Sequence, residues 1–343
     1  MERRNEIRCA VIGYGGACNM GFNHSNWINA APGMKTVAVC DVVPDRLEQA
    51  KKDFPGIKTF SDYREVMKDS DIDLVVIITP HSTHFEIGME AIRHGKHVVM
   101  EKPMCLHVSE ADAMIEEAKK QGVTLTVFHN RRHDGDYMAM KEIIEKGIIG
   151  EVYRIEFCLE MWEHIFPKTW RSVKALSGGI FYDWGPHIVD WTLNLMGEKI
   201  ESVYALTQKR VWMDTDIEDE IQVIVRFSDG KIGDMQLSFA SMGHNPNWRI
   251  IGTKGAIVQD RPPVLELGYN SFKVYTEVEG YPAEMTIKHK KSDWEKYYVN
   301  LSAHLLEGAP LEVTPESARR VIAVIETAYK SADSGKVEIP PVD

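Results

Sequence analysis

The feature that most limits how this chain can fold is a rhythm in its first 130 residues. Short, unbroken apolar runs alternate there with helix-compatible segments. The runs IRCAVIGYG, KTVAVCD, DLVVIITP, KHVVMEKP and VTLTVFHN are separated by stretches such as PDRLEQAKKDF, HFEIGMEAIRHG and SEADAMIEEAKKQG. A strand that is apolar on both faces must be covered on both faces, which a parallel sheet between two helix layers provides. The pattern predicts a doubly wound α/β domain. Pro44 near a first turn, Gly95 past a helix end and Ser109 as an N-cap punctuate it.

After Asn130 the rhythm changes. The helix YMAMKEIIEKG leads to the strand EVYRIEFCLEM and a helical region near 178–196. The strands IESVYALTQKR, EIQVIVRFSDG, KIGDMQLSFAS and WRIIGTKGAIV then follow with little helix between them, and Asp229-Gly230 marks a hairpin turn. This reads as a second, α+β domain on a large, mainly antiparallel sheet. The expected boundaries are 1–130 and 131–343, with the two closing helices able to pack back on the first domain.

Composition narrows the function classes. The net charge is -11 and no run of Lys and Arg stands against it, so neither nucleic acid nor an anionic membrane is the expected partner. Cysteines at 9, 18, 40, 105 and 158 form no C-x-x-C pair and read as reduced thiols. No segment approaches the ~18 consecutive apolar residues of a membrane span. A cytoplasmic location is the expectation.

The first strand ends in VIGYGGACN, which sets Gly13, Gly15 and Gly16 directly behind it, with Tyr14, Ala17 and Cys18 in the same turn. Glycines there let the backbone approach a pyrophosphate, while the following helix offers its unpaired N–H groups. The third glycine of G-x-G-x-x-G would fall on Cys18, so position in the βαβ unit carries the reading more than the motif does. Asp41 closes the second strand, placed to hold the adenosine ribose and to repel a 2′-phosphate. NAD is therefore the expected cofactor, with Arg46 leaving NADP open.

The segment FYDWGPHIVDW, residues 181–191, puts Asp183, His187 and Asp190 among aromatic and aliphatic residues. On one continuous helix the three share a face, whereas Pro186 favours a kink or a helix that begins near it. Asp190 reads as a supporting residue. EKP, residues 101–103, ends the run KHVVMEKP and projects Lys102 toward the cleft where such sheets bind ligands.

Taken together, GYGGAC, CDVVPDR, ITPHSTH, EKP, NRRHDGDY, GGIFYDWGPHIVD and GTKGA resemble the glucose-fructose oxidoreductase, inositol dehydrogenase and MocA family over essentially the full chain. The resemblance implies a Rossmann domain followed by a domain with an open antiparallel sheet, through which such proteins commonly assemble. A homodimer or homotetramer is thus expected. It also implies transfer of a hydride between a nicotinamide and a secondary alcohol of a sugar, inositol or related polyol, with Lys102, Asp183 and His187 as the catalytic set. The chemistry asks for the same set: a base for the hydroxyl proton and donors for the developing alkoxide.

Further site residues follow from the same likeness. Thr79, Pro80 and His81 would lie against the cofactor ribose, with His84 and Glu101 close by. Asn130 would border the nicotinamide, and Arg171 would reach toward cofactor or substrate. His133, Asp134 and Trp162 are candidates for shaping the substrate pocket. No metal is expected, because HSTH has no third ligand at a useful spacing and the chemistry needs none. Two other readings compete: a redox-neutral, glycoside-processing enzyme that oxidises its sugar transiently, and a ligand-sensing regulator on the same fold.

Overall fold

A computed structural model describes residues 6–15, 19–163, 168–197, 199–243, 245–260 and 270–341. The chain divides into two compact units, residues 1–130 with 294–319 and residues 131–293 with 320–343.

The first unit begins β1 (Ile7–Ile12), α1 (Met20–Ala30), β2 (Met34–Cys40), α2 (Pro44–Asp53), β3 (Lys58–Phe60) and α3 (Tyr63–Lys68). It continues β4 (Leu74–Ile77), α4 (His84–Arg93), β5 (His97–Met100), α5 (Val108–Gln121) and β6 (Leu125–Val127). The strands pair in parallel in the order β3-β2-β1-β4-β5-β6. Val11, Val39, Val76 and Val99 are fully buried, as strands covered on both faces require. The order reverses between β1 and β4, and doubly wound sheets bind ligands at the carboxyl ends of strands flanking such a reversal.

Two details differ from expectation. Helix α5 starts at Val108, so Ser109 lies inside its first turn and His107 takes the cap position. The cause is Glu110, whose carboxylate reaches back to accept the N–H groups of Leu106 (3.1 Å) and His107 (3.2 Å). Asp41, Thr79, Lys102 and Asn130 also fall one to three residues beyond their strands. The regular strands end before these residues, although the Asp41 N–H still donates to the carbonyl of Phe60 on β3 at 3.2 Å.

The second unit contains α6 (Gly135–Glu145), β7 (Val152–Glu160), α7 (Lys174–Ser177), α8 (Ile180–Met196), β8 (Ile200–Gln208), β9 (Glu220–Phe227) and β10 (Ile232–Ser238). Beyond these come β11 (Trp248–Gly252), β12 (Gly255–Gln259), β13 (Ser271–Val278) and β14 (Tyr281–Lys288). The sheet runs β14-β13-β12-β11-β7-β10-β9-β8, antiparallel except where β7 and β10 pair in parallel. The Asp229-Gly230 hairpin joins β9 to β10, with Phe227 donating to the carbonyl of Lys231 at 3.0 Å.

Alternation along β9 buries Ile221, Val223, Val225 and Phe227 and turns Glu220, Gln222, Ile224 and Arg226 outward. Helix α8 contacts β7, β9 and β10. Its Trp191 ring packs on Phe157 (5.6 Å between centroids) and Trp248 (5.3 Å).

Two helices close the chain, α9 (Glu295–Glu307) and α10 (Pro315–Ser334). Helix α9 belongs to the first unit, where it packs on α1. The residues of α10 from 320 onward belong to the second. Among the described residues no helix is long and apolar enough to cross a membrane.

Candidate active site

In the first unit the turn after β1 is built for close approach. Gly13 has φ +93 and donates its N–H to the carbonyl of Cys40 at 2.8 Å. A Cβ there would collide with the backbone of Ile78, so the turn runs directly against the chain leaving β4. The Asp41 carboxylate spans this region: one oxygen accepts the N–H of Gly15 and the other that of Val43, each at 2.9 Å. Arg46 lies over Gly15, its side chain filling the space a Cβ would need.

Tyr14 is buried, and its hydroxyl donates to Asp53 at 2.7 Å, so only its backbone remains for a ligand. Gly16, Ala17 and Cys18 lie outside the described residues. A glycine turn too tight for a side chain, beside a carboxylate held at the end of β2, fits the pyrophosphate and ribose of a dinucleotide.

The turns after β4 and β5 are tied together by one imidazole. His84 is fully buried, with Nδ1 2.7 Å from the carbonyl oxygen of Pro103 and Nε2 2.9 Å from that of Thr79. Burial lowers its pKa from the ordinary histidine value, against the pull of the two carbonyls. Thr83 Oγ1 adds a bond to the carbonyl of Pro80 at 2.7 Å, and His81 is buried beside His84.

Lys102 is half-buried, and its backbone N–H donates to Oε2 of Glu101 at 2.9 Å. The other Glu101 oxygen lies 3.0 Å from Nε2 of His24, whose Nδ1 is 2.5 Å from the Tyr298 hydroxyl on α9. Burial pushes the Glu101 carboxyl up. The hydrogen bond from His24, followed by the charge of Lys102, outweighs that and holds it below the usual carboxylate value. Nothing in the sequence pointed to His24 or Tyr298, which stand 77 and 197 positions from Glu101 and meet it only through helix packing.

In the second unit α8 runs unbroken through Pro186. Asp183, His187 and Asp190 therefore fall on one helical face, and the alternative of a helix beginning at Pro186 does not arise. The start of α8 is fixed by residues far away in sequence. Glu218 accepts the N–H of Ile180 at 2.8 Å, and the Tyr329 hydroxyl donates to Glu218 while accepting the N–H of Phe181 at 3.0 Å. Gly179, with φ +119, has no room for a Cβ between Tyr329 and Glu218. Tyr182 stacks on Tyr329 with centroids 5.5 Å apart.

Asp183 pairs with Arg171 at 3.4 Å, and the Arg171 guanidinium sits 4.4 Å over the Trp170 ring. His187 is buried among aromatic rings, 6.0 Å from Trp184 and 6.2 Å from Trp191. Asp190 is buried and held bidentately by Arg132, at 2.8 Å from Nε and 2.6 Å from the terminal nitrogen. Arg132 is a further residue that sequence reading did not single out.

The candidate pocket residues occupy varied places. His133 is buried, and its carbonyl accepts the N–H of Asp293 at 3.1 Å. Asp134 pairs with Arg131 at 3.0 Å. Trp162 is exposed and bridges to Ala240. Lys102 and the buried Asn130 belong to the first unit. Among the described residues no group of three or more His, Cys, Asp or Glu side chains could hold a metal ion.

Known proteins share this plan. Residues 7–129 match the oxidoreductase family with an NAD-binding Rossmann fold, and residues 137–258 match the GFO/IDH/MocA C-terminal domain. The chain is 34% identical to the scyllo-inositol 2-dehydrogenase (NAD(+)) of Bacillus subtilis over 74% of this chain and 73% of that protein. It is 28% identical to scyllo-inositol 2-dehydrogenase (NADP(+)) IolW of the same organism, over 95% of this chain and 94% of that one. Among solved structures, an NAD-binding protein from Listeria innocua superposes with a TM-score of 0.86 at 26% identity, covering 98% of this chain and 97% of the other.

Proposed function

The chain belongs to the GFO/IDH/MocA oxidoreductase family, and from that premise we propose that it is an NAD-preferring dehydrogenase of a secondary alcohol on an inositol or related sugar. The single observation that carries the reading is α8, whose unbroken course sets a buried imidazole one turn from a carboxylate, Asp183 before His187. The unit 1–130 with 294–319 supplies the dinucleotide cradle, and the other supplies the substrate groups.

Gly13 and Gly15, with Gly16, Ala17 and Cys18 after them in the sequence, would hold the pyrophosphate. Asp41 would hold the adenosine ribose, and its charge would disfavour a 2′-phosphate. Thr79, Pro80 and Asn130 would line the nicotinamide ribose and ring, while His84 would act by fixing the turns that carry Thr79 and Lys102. When bound, the nicotinamide would accept a hydride from the carbinol carbon.

His187 takes the hydroxyl proton, as an imidazole whose ordinary pKa lies near neutrality can. Lys102 donates to the same oxygen and stabilises its developing charge. Asp183, steadied by Arg171, orients the imidazole or grips a neighbouring hydroxyl. His133 and Trp162 border the sugar. The outward face of the large sheet, carrying residues such as Arg154, Glu156 and Asp234, is the surface for assembly into a dimer or tetramer.

The test is NADH formation from NAD across inositols, aldoses and their methyl glycosides. Multiple turnover is expected with at least one of them. His187→Ala should lower kcat by about 100-fold or more while NADH still binds, the size of loss expected on removing a general base. Firm NADH binding without turnover on any alcohol of the panel would sink the reading.

A further inference from the structure

The chain of polar groups behind Lys102 has no counterpart in the roles assigned so far. Glu101 and His24 are both buried, and the His24 ring is packed against Phe128 (4.3 Å between centroids) and Trp27 (5.5 Å). With the proton on Nε2, the Tyr298 O–H donates to His24, His24 donates to Glu101, and Glu101 accepts the backbone N–H of Lys102. Every polar end is satisfied, and each link comes from a different part of the first unit: α9, α1 and the turn after β5. Apolar side chains of similar volume would fill this space with less desolvation cost, so stability alone does not call for a phenol, an imidazole and a carboxylate in series.

We propose that His24 and Tyr298 are positioning residues for Lys102: Tyr298 orients the His24 ring, His24 fixes the Glu101 carboxylate, and that carboxylate sets the backbone from which the lysine side chain departs. This rests on the role given to Lys102 above. The groups facing Glu101 are His24 from α1, Lys102 from its own turn and, at longer range, His84 from α4 and the Tyr298 hydroxyl. Removing the imidazole leaves burial unopposed by its largest counterweight, so the carboxyl takes up a proton at higher pH. It then holds the Lys102 N–H less firmly.

The experiment uses the full-length protein labelled with 15N-lysine, the Lys102 amide being identified by its absence in Lys102→Arg. In the wild type this amide should respond to the Glu101 titration only below the ordinary carboxylate range. In His24→Ala the response should move to higher pH, with an intermediate effect in Tyr298→Phe, a change of one oxygen that keeps the fold. His24→Gln retains a donor and should recover part of the wild-type behaviour. In parallel, kcat should fall about tenfold in His24→Ala and about threefold in Tyr298→Phe with KM for the alcohol little changed, as a small misplacement of one reacting group would give.

An amide that stays put in both variants overturns the proposal, and so does an amide that moves while kcat holds. If the amide moves but the wild type turns over no alcohol, the relay stands and the dehydrogenase reading falls.

Discussion

The two units carry their candidate groups in different ways. In the first, Gly13, Asp41, Thr79 and Lys102 all lie just beyond strand ends, where a parallel sheet presents them by construction. In the second, Asp183 and His187 sit on a single buried helix whose start is fixed by Glu218 and Tyr329 and whose middle is anchored by Arg132. The first kind of site follows from topology. The second depends on a few long-range polar contacts, and so should be the easier to damage from a distance.

The largest expected effect probes that anchoring. Asp190→Ala would leave Arg132 buried without its carboxylate, a loss of about 3–5 kcal/mol for a broken buried pair. Urea unfolding followed by far-UV circular dichroism measures it, and a cost below about 1 kcal/mol, the range of exposed pairs, would erase the contrast between the units. Next comes a change confined to the cradle. Asp41→Asn should weaken NAD by about tenfold and narrow the preference over NADP, because one charged hydrogen bond is worth about 1.5–3 kcal/mol, and should cost some stability because an amide cannot accept the N–H groups of both Gly15 and Val43. Equal loss of both coenzymes would mean Asp41 shapes the turn more than it selects the ligand.

Glu218→Gln sharpens the comparison from the other side. Weakening the cap of α8 should cost about 1 kcal/mol and lower kcat without touching NADH binding measured by fluorescence. Unaltered kcat would show that α8 is held by packing alone. The smallest effect is pH dependence in the first unit. Burial depresses the pKa of both His84 and His97, so the folded state favours their neutral rings. The stability they lend is complete above the ordinary imidazole pKa, about 6.5, and is lost as pH falls through their lowered folded values. The thermal unfolding temperature should therefore fall on the acid side of neutrality, and His84→Gln should flatten that slope. An unchanged slope would remove His84 from the account.

How much could be read beforehand follows the same division. The β1 turn, Asp41 and the EKP segment were legible because each sits beside a run of apolar residues that defines its strand. The hairpin at Asp229-Gly230 was legible from the turn pair itself. The sequence of α8 marks a helix but leaves its continuity through Pro186 undecided: β7, β9 and β10 pack along it, and no local rule includes that contribution. Ser109 lies inside α5 rather than at its cap for a smaller version of the same reason, a carboxylate three residues past the cap reaching back to start the helix earlier.

Periodicity and glycine placement, which are properties of neighbours in the chain, settled the parallel sheet, the antiparallel sheet and the cradle for a dinucleotide. Partners for the candidate side chains are a different matter. Glu101 with His24 and Tyr298, Ile180 with Glu218 and Tyr329, and Asp190 with Arg132 are all pairings across long stretches of sequence. Hydrogen bonds of that kind leave no periodic trace, because a buried polar group needs only some complementary group within reach. Which group that is depends on how the helices pack, and only the folded chain decides it.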